Sequence, residues 1–412
     1  MGSQQCQLTP SNMKLTSEHP FWLVRNGLLT NHPSLERDLT CDVVIVGGGI
    51  TGALVGYHLA HAGVTTVLVD KRDIGTGSTS GSTGLLQYEV DVPLRRLVRQ
   101  IGLAKANHSY LVCLEAIDKI QTLVKKLQIH CEFEKKPSLF IVRTKNEIPE
   151  LREEFQLRKN IGIKLDFWDR EELAKHFPFS RPAALFSSAG GQVDPHRLTH
   201  GLLRDAAKYG LSVFDRTRIV QFVPTRPGIQ LVTEQGFKIK ARRAVIAAGF
   251  ESKAFLRGQA GTLKSTYALI SEPVPKLRDW YRRSLIWDSG SPYLYLRTTM
   301  ENRIIVGGED EDFVSPRQRD ALIPQKTRTL IRKFRGLFPD IKLTIAYSWA
   351  GTFGETKDGL AYIGANPSLP HAYFALGYGG NGITYSVIAA EIIRDKFLGR
   401  RNRNASLFDF QR

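Results

Sequence analysis

The sequence predicts an α/β fold, α+β overall, in which a mostly parallel sheet is interleaved with an antiparallel-sheet domain. Three observations predict it. The run Asp42-Val43-Val44-Ile45-Val46 is apolar beyond its first residue, as a strand buried on both faces must be. It leads through Gly47-x-Gly49-x-x-Gly52 and an apolar helix to a second β-rich run, Val64 to Val69, closing on Asp70. That is a complete βαβ unit. Two more apolar runs, Ala244 to Gly249 and Tyr373 to Leu376, lie far downstream, with alternating segments between them.

The elements follow in order. Residues through about Leu39 are polar and turn-rich, with Phe21 and Trp22 as anchors onto the body. The first helix runs to about Ala62 and ends at Gly63. Gly75 to Gly84 reads as a Gly/Ser/Thr loop, and Pro93 to Gln128 as long helix, because Leu97, Ile101, Ala104, Leu111, Leu114 and Ile117 recur at helical spacing. A short strand covers Leu139 to Arg143. Asp194 as N-cap and Pro195 at the first helical position open a helix that stops before Gly210. Ile219 to Val223, Ile229 to Thr233 and Lys238 to Ala248 alternate as a meander. Tyr267 to Ser271, Tyr293 to Thr298 and Arg303 to Val306 are strands, the last two a hairpin. Helices are expected from about Arg317 to Phe334 and from Thr384 to Leu398. The resulting division is an extension over 1–40, a discontinuous nucleotide domain over 41–112, 186–263 and 345–399, a substrate domain over 113–185 and 264–344, and a basic tail over 400–412.

Composition narrows the function classes. With 42% hydrophobic and 24% charged residues the chain reads as ordinary and globular, and no apolar run reaches the roughly 18 residues of a membrane span. No secretory leader pattern opens it, so a cytoplasmic location is expected. Cys6, Cys41, Cys113 and Cys131 lack metal-ligand or disulfide-framework spacing, so no metal is expected. The net charge of +17 suits an anionic substrate or loose attraction to a membrane surface. Its cations are scattered among acids and no nucleic-acid module is present, so no nucleic-acid partner is expected. Arg400, Arg401 and Arg403 form the densest patch, read as a solvated tail.

Three motifs carry chemistry. In Gly47 to Gly52, small residues let the backbone approach a pyrophosphate, whose charge meets the amides opening the next helix. Asp70, closing the next strand, is suited to the hydroxyls of an adenosine ribose. Between Gly75 and Gly84, hydroxyls and amides are placed for a second portion of a longer cofactor, such as the phosphates and ribityl chain of FAD. Gly377-Tyr378-Gly379-Gly380-Asn381-Gly382-Ile383-Thr384 runs into the last helix, whose positive end would stabilise negative charge on a reduced flavin pyrimidine.

These motifs, with the strand ending at Gly249, the Gly190-Gly191 segment and the Asp358-Gly359 stretch, resemble the D-amino-acid oxidase superfamily of FAD-dependent oxidoreductases, which includes glycine, sarcosine and γ-glutamylputrescine oxidases. The resemblance spans Asp42 to about Gly399. It implies a Rossmann-like FAD-binding domain and contacts to FAD from Gly47, Gly49, Ile50, Thr51, Gly52, Asp70, Lys71, Ser78, Thr79, Ser80, Val220, Ala247, Ala248, Gly249, Gly380, Asn381, Gly382, Ile383 and Thr384.

Departures from the family pattern shape the expected chemistry. Amino-acid members carry an Arg shortly before the Asp-Gly stretch to grip the substrate carboxylate; here Gly351 to Lys357 contains none. Arg297 or Lys357 would take a carboxylate instead, or Glu355, with Glu89, would bind a cationic amine, favouring a polyamine-like substrate. Tyr267, Tyr293 and Tyr295 are candidates to wall the substrate pocket. No Cys or His stands where relatives attach flavin, so FAD is expected to be non-covalent. Thr384 replaces the Lys that assists oxygen in sarcosine oxidases, leaving oxygen or a quinone-type carrier as acceptor. The expected activity is oxidation of a small amine or amino acid at its C–N bond by hydride transfer to flavin N5. Glu355, Arg297 and Tyr295 are the candidate catalytic residues. The alternatives are a 2-hydroxy-acid dehydrogenase of the same superfamily and a non-catalytic FAD-binding subunit.

Overall fold

The computed structural model describes residues 6–7, 14–256 and 261–412. At its centre lies the strand Leu39–Val46, flanked by Thr66–Val69 and Lys238–Ile246, both parallel to it. Ser212–Phe214 continues the parallel order beyond Thr66–Val69. The outer edge of Lys238–Ile246 is divided. Residues 238–241 pair antiparallel with Ile229–Thr233, and residues 244–246 pair parallel with Ala372–Leu376. That division explains the sequence pattern. The first half alternates because it borders the meander, whereas Ala244, Val245 and Ile246 are fully buried between parallel neighbours.

The helix Ile50–Ala60 is apolar all round because Pro195–Ala207 and Gly382–Phe397 pack against it while its N-terminal end abuts the central strands. Gly63 follows it with φ +75°, and Asp194 caps Pro195–Ala207 by accepting from the amides of His196 and Arg197. The long helical stretch is two helices, Leu94–Ile101 and Leu103–Leu127, broken at Gly102 with φ +84°. The second runs without interruption through the boundary expected at 112/113.

A second sheet of eight strands covers the other side of the molecule. Its hairpin Leu294–Thr298 and Ile304–Asp312 is as read, and Thr262–Ser271 lies beside it. One pair, Ser138–Ile141 with Leu285–Asp288, is parallel. The strand Ile345–Glu355, which falls beyond the substrate-domain boundary expected at 344, pairs along Thr262–Ser271 and belongs to this sheet. Two glycines, Gly351 and Gly354, obscured it in the sequence.

The described N-terminal segment is anchored by its aromatics as expected, whereas the C-terminal segment departs from a solvated tail. Trp22 is fully buried, and Phe21 stacks on Trp349 at 6.3 Å. Leu15 and Ser17 hydrogen-bond to Thr352 and Ala350, extending the second sheet. At the other end, Arg400 and Arg401 follow the last helix and Arg400 is exposed, but Leu407 and Phe408 are buried and Arg412 grips Asp358. The basic tail is therefore packed onto the body from about Asn404 onward. No helix among the described residues is long and apolar enough to cross a membrane.

Candidate active site

A cavity of about 900 Å³ runs between the two sheets. One end is formed by the Gly-rich turn. Its glycines are required by contact: a side chain at Gly52 would overlap the carbonyl oxygen of Gly47, so helix and strand come together only without one. The helix Ile50–Ala60 has no side-chain cap. The Ile50 amide instead donates to the Thr79 hydroxyl at 3.0 Å, tying the hydroxyl-rich loop to the helix end. Asp70 sits beside this turn, accepting from the Gly48 amide at 2.6 Å and the Arg72 amide at 2.8 Å. Burial raises its carboxyl above the usual range, opposed by those two amides.

Gly47, Gly49, Ile50, Thr51, Asp70, Lys71, Ser78 and Thr79 line the cavity. So do Val220, Ala247, Ala248 and Gly249, and Gly380, Asn381, Gly382 and Ile383 at the start of Gly382–Phe397, a helix that meets Ile50–Ala60 through the Ser386 and Thr51 hydroxyls at 2.8 Å. Lys71 is ion-paired with Glu251 at 2.6 Å. Three expected contacts stand behind the surface. Gly52 serves helix–strand approach, Ser80 donates to the Gly77 carbonyl, and Thr384 is buried with its hydroxyl 3.4 Å from the Gln87 carbonyl. The Gly75 to Gly84 segment is not wholly loop: Ser78–Gly81 forms one helical turn.

The loop that follows is held from outside the cavity. The Trp349 indole donates to the Gly81 carbonyl at 2.9 Å, and the Trp22 indole to the Ser82 carbonyl at 2.6 Å. Nε of Arg297 donates to the Thr83 carbonyl at 2.7 Å. Three consecutive carbonyls are thus turned away from the cavity. Arg297 is 2% exposed, stacks over Trp22 and is not among the lining residues. Lys357 is exposed on the surface.

Glu355 and Tyr295 do line the cavity, with Tyr293, Asp91 and Thr266. Tyr293 and Tyr295 share one strand face, their rings 5.6 Å apart. Tyr267 faces elsewhere and packs under the Lys326 ammonium. Asp91 accepts from the Gly380 amide at 3.0 and 3.1 Å, filling the space a side chain at Gly379 would need. Gly379 itself has φ +53°. Burial, followed by the nearby Glu355 and Asp310 carboxylates, pushes the Asp91 carboxyl up to about 7 against that amide. Asp310 is likewise pushed up to about 7, by burial and then by Glu355, against the Thr266 hydroxyl and the lysines Lys264 and Lys326. Asp91 and Asp310 carried no signal in the sequence: each is one acid among many, and only the fold brings them to Glu355.

A cavity of this size, with glycines at one helix start, an acid at the second strand and a second Gly-rich helix start beside the first, fits an extended flavin dinucleotide. The family model for FAD-dependent oxidoreductases (DAO) matches residues 42–396. The chain belongs to this family of FAD-dependent oxidoreductases. γ-Glutamylputrescine oxidoreductase of Escherichia coli (strain K12) is 26% identical over 391 residues, covering 90% of this chain and 86% of that protein. Glycine oxidase of Bacillus licheniformis is 26% identical over 368 residues, covering 87% and 93%. The crystal structure of glycine oxidase from Geobacillus kaustophilus superposes with a TM-score of 0.75 at 22% identity, covering 91% of this chain and 99% of that one. As a member of this family, the chain is an FAD-dependent oxidoreductase with the mixed α/β architecture of that fold.

Proposed function

We propose that this flavoenzyme oxidises the C–N bond of a small amine, with FAD held non-covalently. The observation carrying this reading is the grouping of Glu355, Asp91 and Asp310. The cavity lining also carries cations, Arg95, Arg96 and Arg158 among them, but Glu355 lies close enough to Asp91 and Asp310 to raise both of their carboxyls. Lys264, which acts on Asp310 together with Lys326, is paired with Asp312 at 2.6 Å. A substrate entering here meets negative charge, which suits an ammonium group and opposes a free carboxylate.

Bound FAD would supply a two-electron hydride acceptor for the carbon bearing nitrogen; the substrate nitrogen would lose its proton to solvent, and water would hydrolyse the imine to a carbonyl compound and ammonia or an amine. The chain's own residues position the partners. Glu355 and Asp91 orient the amine, Tyr293 and Tyr295 wall the pocket, and the turn at Gly380 supplies positive helix-end potential. Arg297 acts through the loop it supports. Non-covalent attachment is supported by a cavity whose described lining includes neither Cys nor His. Oxygen or a quinone-type carrier then takes the electrons.

Anaerobic mixing of the holoenzyme with amines, amino acids and 2-hydroxy acids tests this. Bleaching of the flavin by amines is expected; bleaching by hydroxy acids alone would replace the reading with the dehydrogenase alternative. A flavin that resists every candidate would favour the non-catalytic one.

A further inference from the structure

Behind the carboxylate group at the Gly380 turn, the cavity continues into an arm bounded by a buried ion cluster. Arg158, Glu154 and Glu89 are 1%, 2% and 5% exposed. Glu154 is fully engaged. Its oxygens accept from Nε of Arg158 at 2.8 Å and from the amides of Leu94 and Arg95 at 2.9 and 3.0 Å, capping the helix Leu94–Ile101. Arg158 Nη1 reaches one oxygen of Glu89 at 3.1 Å and the Tyr88 hydroxyl at 3.3 Å. One guanidinium therefore serves two carboxylates, which leaves this buried cluster with a formal charge of −1.

The second oxygen of Glu89 is buried and has no hydrogen-bond partner, and Glu89 lines the cavity. An unsatisfied carboxylate oxygen in a dry site is costly, and proteins leave few of them without a purpose. The same cavity is lined by Tyr110, Phe140, Val142 and Leu151, which suit methylene groups, as well as by the charged side chains Arg95, Arg96 and Arg158. The main chain of Glu89 is fixed to the flavin-side turn, since the Asn381 amide donates to its carbonyl at 2.7 Å. The cavity thus presents two carboxylate positions, Glu355 with Asp91, and Glu89, with apolar side chains and the Arg158 guanidinium also in its lining.

Resting on the amine reading above, we infer that the substrate is a diamine or polyamine, with one nitrogen at Glu355 for oxidation and a second ammonium on the free oxygen of Glu89. The second nitrogen takes no part in the redox step; it fixes the register of the chain and so selects which carbon is oxidised.

The test compares linear α,ω-diamines of increasing length with n-alkylamines of matched length, by anaerobic flavin reduction of the holoenzyme. The wild-type enzyme is expected to prefer one diamine length over its matched monoamine by at least about tenfold in kcat/KM, about 1.4 kcal/mol. Glu89→Gln is expected to remove that preference by raising KM for the diamine about tenfold more than KM for the matched monoamine. Equal rates for diamines and monoamines in the wild type would overturn the inference, and this result needs no variant to fold. It is equally overturned if Glu89→Gln weakens FAD binding and keeps the diamine preference, because the free oxygen then serves an N–H of the cofactor. Failure of every amine, with bleaching by another class, would defeat the amine reading itself and this inference with it.

Discussion

Arg297 donates from Nε to the carbonyl of Thr83 at 2.7 Å, from a position beneath the loop and outside the cavity lining. A residue so placed, buried in the second sheet, is expected to act on a bound cofactor through the backbone that it holds. Arg297→Met leaves a buried carbonyl unpaired, a loss of about 1–3 kcal/mol. The expected outcome is a fall of about tenfold in FAD affinity, read by fluorescence titration of apoprotein, with KM for the amine unchanged in FAD-saturated enzyme. A large rise in KM with normal FAD affinity would instead make Arg297 a substrate ligand.

The same logic applies to Trp22. Its indole N–H is the middle of the three donors and comes from the segment preceding the first central strand. Trp22→Phe keeps most of the packing and removes the donor. FAD affinity is expected to drop about fivefold to tenfold, consistent with one lost hydrogen bond of about 1 kcal/mol. Unchanged affinity would show that the loop holds its shape through Trp349 and Arg297 alone.

Asp91 and Asp310, both pushed up to about 7, set a pH dependence. Below that pH they are neutral; as pH rises through about 7 they ionise and favour a cation. The kcat/KM for an amine is expected to climb across this window, and Asp91→Asn is expected to flatten the climb. An identical profile in the variant would remove Asp91 from substrate recognition.

Stability should move the opposite way. A carboxyl raised in the folded state binds its proton more tightly there than in the unfolded chain, so its contribution is present at low pH and lost as pH rises through the folded value. Asp91→Asn is therefore expected to raise Tm at pH 8, by about 2 °C or more, and to leave it unchanged or lower at pH 5. A variant less stable at both pH values would mean that the hydrogen bonds to Gly380 outweigh the repulsion.

Gly52→Ala offers a check on the cofactor end. Its methyl group would overlap the Gly47 carbonyl, and forced overpacking costs about 1–3 kcal/mol. The purified variant is expected to unfold at lower urea and to lose yellow colour. Retained flavin and stability would mean that the helix can withdraw without disturbing the turn.

Much of the nucleotide-binding half was legible because its signals are local. Gly47 to Gly52, Asp70 and the Asp194-Pro195 cap each declare themselves within a few residues. The second sheet was less so: Ile345–Glu355 carries two glycines, and its identity as a strand comes from pairing with a segment some eighty residues earlier. The substrate end was least legible. Glu355 was visible as an acid in an unusual place, whereas Asp91, Asp310 and the Arg158 cluster are ordinary in sequence and acquire meaning only through burial and proximity. Arg297 shows the converse, a charge whose residue type suggested a ligand and whose surroundings give it a backbone partner.

The divided edge of Lys238–Ile246 has a consequence for biosynthesis. Half of that edge waits for Ala372–Leu376, so the nucleotide sheet stays open until nearly the whole polypeptide has left the ribosome. Neither lobe is a continuous stretch that can mature first, and such long-range pairing slows folding. Flavin capture is accordingly expected to come late, because a chain lacking Ala372–Leu376 would leave half of that strand edge unpaired beside the cofactor turn.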